Sequence, residues 1–110
     1  METLRMENNS GKEFPNELKV KADGPDAPEG QRKMAVKKLA GAIAHSLREK
    51  GEVHVRCFGN ACIGKACKAI AISTSYVSPH GLSILCIPYF IEAEMDGQMK
   101  TGIAFRVFAE

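Results

Sequence analysis

The sequence contains no apolar run approaching the roughly 18 residues that a membrane-spanning helix needs. Its opening stretch, METLRMENNSGKEF, holds no hydrophobic core of a signal peptide either. A cytoplasmic protein with no membrane partner is expected. The four cysteines, Cys57, Cys62, Cys67 and Cys86, form no CxxC pair and match no usual zinc spacing. On a helix, Cys62 and Cys67 would diverge by about 140°. All four read as reduced thiols, mostly small core residues, and neither a metal nor another cofactor is expected. His45, His54 and His80 stand outside any Ser, Cys or carboxylate pattern of a nucleophile system, which points away from an enzyme. Aromatic residues are scarce, at 6%. Because Phe58, Tyr76, Tyr89, Phe90, Phe105 and Phe108 fall mostly at core-like positions, few remain for stacking against single-stranded bases.

What is present suits one small domain. The chain has 110 residues, 45% of them hydrophobic and 25% charged. Residues 1–16 are polar and aperiodic and read as a flexible tail, leaving 17–110 as the folded domain. So short a domain has little spare core, and an apolar face left open would be better buried against a second copy. The net charge of +2 conceals an asymmetry. Before Arg32 there are 4 basic and 7 acidic residues, and from Arg32 onward 11 basic and 6 acidic. Arg32, Lys33, Lys37, Lys38, Arg48 and Lys50 share one segment, a surface suited to an anionic partner and equally to simple solvation.

Periodicity orders the elements. ELKVKA (17–22) alternates as a half-buried strand, and DGPDAPEG (23–30) reads as an acidic loop. From Arg32 to Lys50, Val36, Leu39, Ala40, Ile43 and Leu47 recur at helical spacing, with Gly51 as the stop. Lys37, Lys38, His45 and Arg48 fall on the opposite side. EVHVRCF (52–58) alternates as a second strand. A second helix over 61–76 places Ile63, Ala66, Cys67, Ile70, Ala71 and Thr74 on one face. Its other face shows Ala61, Cys62, Ala69 and Ile72 beside Lys65 and Lys68, too apolar for a solvated surface, so a subunit contact is expected there. LSILCIPYFIEAEM (82–95) is a long strand whose Pro88 argues for an edge position or a bulge. Asp96-Gly97 is a hairpin signal, and 98–110 returns as the last strand. The order β-α-β-α-β-β predicts an α+β, two-layer domain with two helices on one face of a four-stranded sheet.

GNACIGKA (59–66) nearly spells a phosphate-binding loop, G-x-x-x-x-G-K-[ST]. Gly59, Gly64 and Lys65 fit, but Ala66 replaces the hydroxyl that would bind Mg²⁺, and the interior residues already follow helical periodicity. The stretch reads as a helix start, with Gly59 making the turn, Asn60 as N-cap and Gly64 allowing close packing. Glu92 and Glu94 share a strand face and read as a solvated hairpin surface rather than an acid–base pair. Lys65 and Lys68 suit either an anion or an interface rim.

The stretches LAGAIAHSLREKGEVHV, GNACIGKACKAIAIS, YVSPHGLSILCIPYF and DGQMKTGIAFRV together resemble the stage V sporulation protein S family, whose fold is related to the Alba nucleic-acid-binding proteins. The resemblance implies an Alba-like sandwich with a mixed sheet, a dimer or tetramer of this chain, and a regulatory role in sporulation or a related developmental programme, with DNA, RNA or sporulation proteins as partners. By position it would place nucleic acid on Lys33, Lys37 and Lys38 near the first helix and on Lys65 and Lys68 at the second. Two departures stand against that placement. The hairpin carries Glu92, Glu94 and Asp96 where a phosphate backbone would need cations, and the segment from Asp23 to Lys38 is longer than usual for the family and acidic before it turns basic. Two functions remain open: a nucleic-acid-binding regulator with little base specificity, or an oligomeric protein-interaction module with no nucleic-acid affinity.

Overall fold

The computed structural model describes residues 17–110; the tail expected over 1–16 lies outside them. Its elements are β1 (Glu17–Lys19), α1 (Glu29–Lys50), β2 (Glu52–Cys57), α2 (Asn60–Val77), a single 3₁₀ turn (Ser78–His80), β3 (Ile84–Met95) and β4 (Gln98–Ala109). The sheet order is β1-β2-β4-β3, with β1 parallel to β2 and the other neighbours antiparallel. Both helices pack on one face of this mixed sheet. That is the α+β, two-layer architecture expected of an Alba-like sandwich. Among the described residues no helix is long and apolar enough to cross a membrane.

The core forms where the two hydrophobic periods meet. Ala40, Ile43, Ala44 and Leu47 supply the buried stripe of α1, and Val53, Val55 and Cys57 point inward from β2. Gly51 ends α1 in the left-handed conformation, φ 82°, and donates its N–H to the Leu47 carbonyl at 2.9 Å. The start of α1 lies earlier than its apolar pattern indicates. Pro28, at φ −64°, flanks a first turn that begins at Glu29, and Arg32 N–H closes it on the Pro28 carbonyl at 3.0 Å. The Arg32 side chain reinforces this start. Its Nε donates to the Ala27 carbonyl (3.0 Å) and its Nη2 to those of Gly24 and Pro25 (both 3.3 Å), fastening the acidic loop to the helix.

The face assignment of α2 is corrected by the structure. Its buried residues are Cys62, Ala66, Ala69, Ser73 and Val77, so the inward face is the small-residue one, while Cys67, Ala71 and Thr74 are exposed. With apolar residues on both sides, periodicity alone cannot choose. Small side chains let α2 lie close to the sheet and α1, and the bulkier Ile63 and Ile70 fill the flank of the core. Ser73 is buried at no cost in lost hydrogen bonds, because its hydroxyl donates to the Ile70 carbonyl at 2.7 Å. The cysteines divide as well: Cys57 and Cys62 are buried, Cys67 and Cys86 exposed. Burial, above all, pushes the Cys57 thiol up to about 12.

β3 is an edge strand, as Pro88 predicts. Asp96 (φ 53°) and Gly97 (φ 77°) join Met95 to Gln98 in a two-residue turn with both central residues at positive φ. The β2–β4 pairing stops at Cys57↔Ile103, so the hairpin beyond it continues as a two-stranded arm. Gly102 lies at the root of that arm. A methyl group there would collide with the Cys57 carbonyl and the Phe58 ring. Gly64, by contrast, faces open space, so it serves no close packing.

Candidate nucleic-acid interface

On α1, Glu29, Arg32, Lys33, Val36 and Lys37 recur at three- and four-residue spacing and face Lys68, Ala71 and Ile72 of α2. Between the helices lies a groove of about 570 Å³. Val36, Ala71 and Ile72 make an aliphatic floor, and four cations stand on the rim with one carboxylate. A second hollow of about 340 Å³ shares Arg32, Val36 and Lys68 and reaches Asp23, Asn60, Ala61, Gly64 and Lys65.

The structure thus separates the five lysines that the sequence grouped. Lys33, Lys37 and Lys68 line the groove, Lys65 lines the second hollow, and Lys38 is exposed outside both. Lys65 is engaged. Its Nζ donates to the Lys21 carbonyl at 2.8 Å and lies 3.1 Å from Asp23 Oδ1, with both side chains largely buried, so it straps the segment after β1 to α2. Lys33 lies 3.5 Å from Glu29, but both side chains are mostly solvated and such a pair contributes little. Among the described residues no carboxylate pairs with Lys37, Lys38 or Lys68. Arg32 lines both hollows and stands beside Lys33 and Lys37 in the groove, although the sequence alone places it only in the basic segment and not among the five lysines. Its position one turn before Val36, on the same side as Lys33 and Lys37, was the available signal.

GNACIGKA is not a phosphate cradle. Gly59, at φ 94°, is the N-cap, and helix α2 begins at Asn60, which makes no side-chain cap bond. Asn60 is therefore the first helical residue rather than the cap, because the positive φ of the turn falls to glycine.

Two of the four residues expected at an oligomer face are corrected. Cys62 and Ala69 retain 6% and 0% of their surface and belong to the core of this chain, while Ala61 and Ile72 lie toward the groove. Exposed apolar surface gathers along β3. Cys86, Pro88 and Phe90 share the helix side of β3 and stand exposed, and Leu85 and Ile87 are exposed on its other side. Phe90 retains 59% of its surface and Tyr76 39%, so these two aromatics are not core residues. Of the aromatics, Phe105 alone is buried among the described residues.

The uncovered sheet face carries a closed polar network. His54 Nδ1 and the Tyr89 hydroxyl are 2.6 Å apart, and His54 Nε2 lies 3.1 Å from Glu52 Oε2. Arg106 Nε donates to the same carboxylate at 3.0 Å. The Arg106 hydrogen bond is the main cause holding Glu52 below the usual carboxylate range, and burial pushes the Tyr89 hydroxyl up to about 12. Arg106 also lies over the Phe108 ring, 4.7 Å from its centroid. These groups satisfy one another, and the network reads as cross-strand bracing.

The family model described as Stage V sporulation protein S (SpoVS) matches residues 31–110. That span takes in nearly all of α1 and everything after it.

Proposed function

Because the chain belongs to the stage V sporulation protein S family, whose description ties it to sporulation, we propose that it is a non-enzymatic, homo-oligomeric regulator of that or a related developmental programme, acting in the cytoplasm by binding DNA or RNA. The observation that carries this reading is the cationic surface of the helix layer. Lys37, Lys38 and Lys68 face solvent with no carboxylate partner among the described residues, and Arg32 and Lys33 extend the same surface. Cations so placed attract a phosphate backbone and release its counterions, which gives salt-dependent affinity with little base specificity. Lys65 contributes less than the other four because Asp23 already compensates it.

A second copy belongs on the β3 edge. Residues 82–91 carry no charge, and the edge is apolar on both of its sides, through Leu85 and Ile87 on one and Cys86 and Phe90 on the other. Large exposed apolar residues are otherwise represented, among the described residues, by Met34 in α1, Tyr76 in α2 and Met99 in the arm. Such a concentration is the mark of a covered interface. Dimer and tetramer both satisfy it.

The acidic arm favours a second reading, an assembly module for protein partners of the same programme with no nucleic-acid affinity. Fluorescence anisotropy of labelled duplexes and RNAs, titrated at low and physiological salt, separates the two. Under the first reading affinity falls steeply with salt, and replacing Lys37 and Lys38 by Glu weakens every sequence alike and flattens the salt dependence. Absence of binding at low salt establishes the second reading instead.

A further inference from the structure

We propose that the groove between α1 and α2 is a docking site for an acidic amphipathic helix of a protein partner, which competes there with nucleic acid. A phosphate backbone exploits cations that stand on a surface and gains nothing from an apolar hollow beneath them. The floor here is aliphatic, Val36, Ala71 and Ile72, and offers no aromatic ring on which a base would stack. Its volume, about 570 Å³, falls within the range of formed ligand pockets and gives room for a few leucine-sized side chains. Buried aliphatic side chains are therefore the contact that this hollow rewards.

Length and charge narrow the occupant. The α1 wall runs from Glu29 to Lys37, which at the helical rise is about 12 Å, close to the i to i+7 span of a partner helix laying one apolar stripe into a groove. The rim carries Arg32, Lys33, Lys37 and Lys68 against Glu29, and Glu29 already faces Lys33. An apolar stripe flanked by carboxylates complements this rim, and a basic stripe is repelled. The lysine stems can fold over the bound stripe while their ammonium groups meet the flanking acids. Because Lys37 and Lys68 serve both ligands, the docked helix displaces nucleic acid. Lys38, outside the groove, serves nucleic acid alone.

The test uses the full chain and a fluorescein-labelled, helix-stabilised peptide of about 16 residues with Leu at i, i+3, i+4 and i+7 and Glu on both flanks. A peptide of the same composition with the order scrambled is the reference. The ordered peptide is expected to bind at least roughly tenfold tighter than the scrambled one. Ala71→Trp, which fills the floor from an exposed position without changing charge, should abolish that preference while leaving duplex affinity within about twofold. Lys38→Glu should do the reverse, weakening the duplex and sparing the preference. Equal affinity for the two peptides, which would reflect charge attraction only, overturns the proposal. So does failure of both to bind, or a preference that survives Ala71→Trp. If duplex binding is absent while the preference and its loss in Ala71→Trp are both observed, the groove stands and the nucleic-acid reading falls.

Discussion

The helix layer and the hairpin arm are built from one short chain and present opposite surfaces. The helix layer gathers Arg32, Lys33, Lys37, Lys38 and Lys68 around an aliphatic groove, with Glu29 as the carboxylate on its rim. The arm carries Glu92, Glu94 and Asp96 against Lys100, and its root is flanked by the apolar edge of β3. Anions are drawn to the first surface and turned away from the second. On the proposed nucleic-acid reading, placement rather than total charge sets where a polyanion lands on a protein of modest net charge. Apolar exposure is divided in the same way: a recessed floor under cations on one side, a strand edge without charge on the other. The first geometry is the one proposed above for a ligand that brings charge, and the second the one proposed for another copy of the same edge.

This contrast can be broken deliberately. The largest effect is expected from replacing Ile87 and Phe90 together by Glu, since both are about half exposed or more in the isolated chain, at 48% and 59%. Light scattering should report the monomer mass while circular dichroism stays unchanged; an undiminished mass removes the β3 edge from the interface. Next comes Gly102→Ala at the root of the arm. The added methyl meets a backbone carbonyl that cannot swing aside, and urea unfolding should show a loss of about 1–3 kcal/mol. Reversing the arm with Glu92→Lys and Glu94→Lys should raise duplex affinity roughly tenfold at low salt. An affinity unchanged by that reversal would mean that the arm lies away from the nucleic acid. The smallest effect concerns the brace on the uncovered face. Glu52 is held below the ordinary carboxylate range mainly by Arg106, so in the folded state it gives up its proton at lower pH than in the unfolded chain. Its contribution is complete above the ordinary carboxylate pKa and disappears as pH falls through the lowered folded value. Glu52→Gln should therefore flatten the acid limb of a plot of urea midpoint against pH, and an unaltered limb would show that the brace carries no stability.

Much of this arrangement was legible in the residue pattern, and the failures share a cause. The stop of α1 at Gly51, the edge position of Pro88 and the Asp96-Gly97 turn all follow from local backbone chemistry, which a sequence displays directly. The lysines of α1 were legible for the same reason, since one helix face is a matter of spacing. What escaped depends on neighbours distant in the chain. The inward face of α2 is chosen by how closely α1 and the sheet approach, which made Cys62 and Ala69 core residues rather than interface residues. Lys65 loses its availability to Asp23 and the Lys21 carbonyl, 42 and 44 positions away. Gly102 reads as an ordinary strand glycine until Phe58 is seen lying against it. The exposure of Phe90 was hidden by a similar confusion, because a strand that is apolar on both sides looks like a buried one whether or not anything covers it.

β1 has a consequence in time. It pairs with β2 over three residues, Glu17 to Lys19, and is secured beyond them by the Val20 N–H on the Arg56 carbonyl at 2.9 Å, by Glu17 beside Arg56 at 3.5 Å and by the Lys65 strap. A strip so short and so peripheral has little holding it against local opening, whereas β2 and β4 lie in the middle of the sheet. Followed by hydrogen exchange, the amides of β1 should therefore run on a faster clock than those of β2 and β4. Each such opening bares the outer edge of β2, so that for brief intervals a three-residue border of the sheet is replaced by a six-residue one.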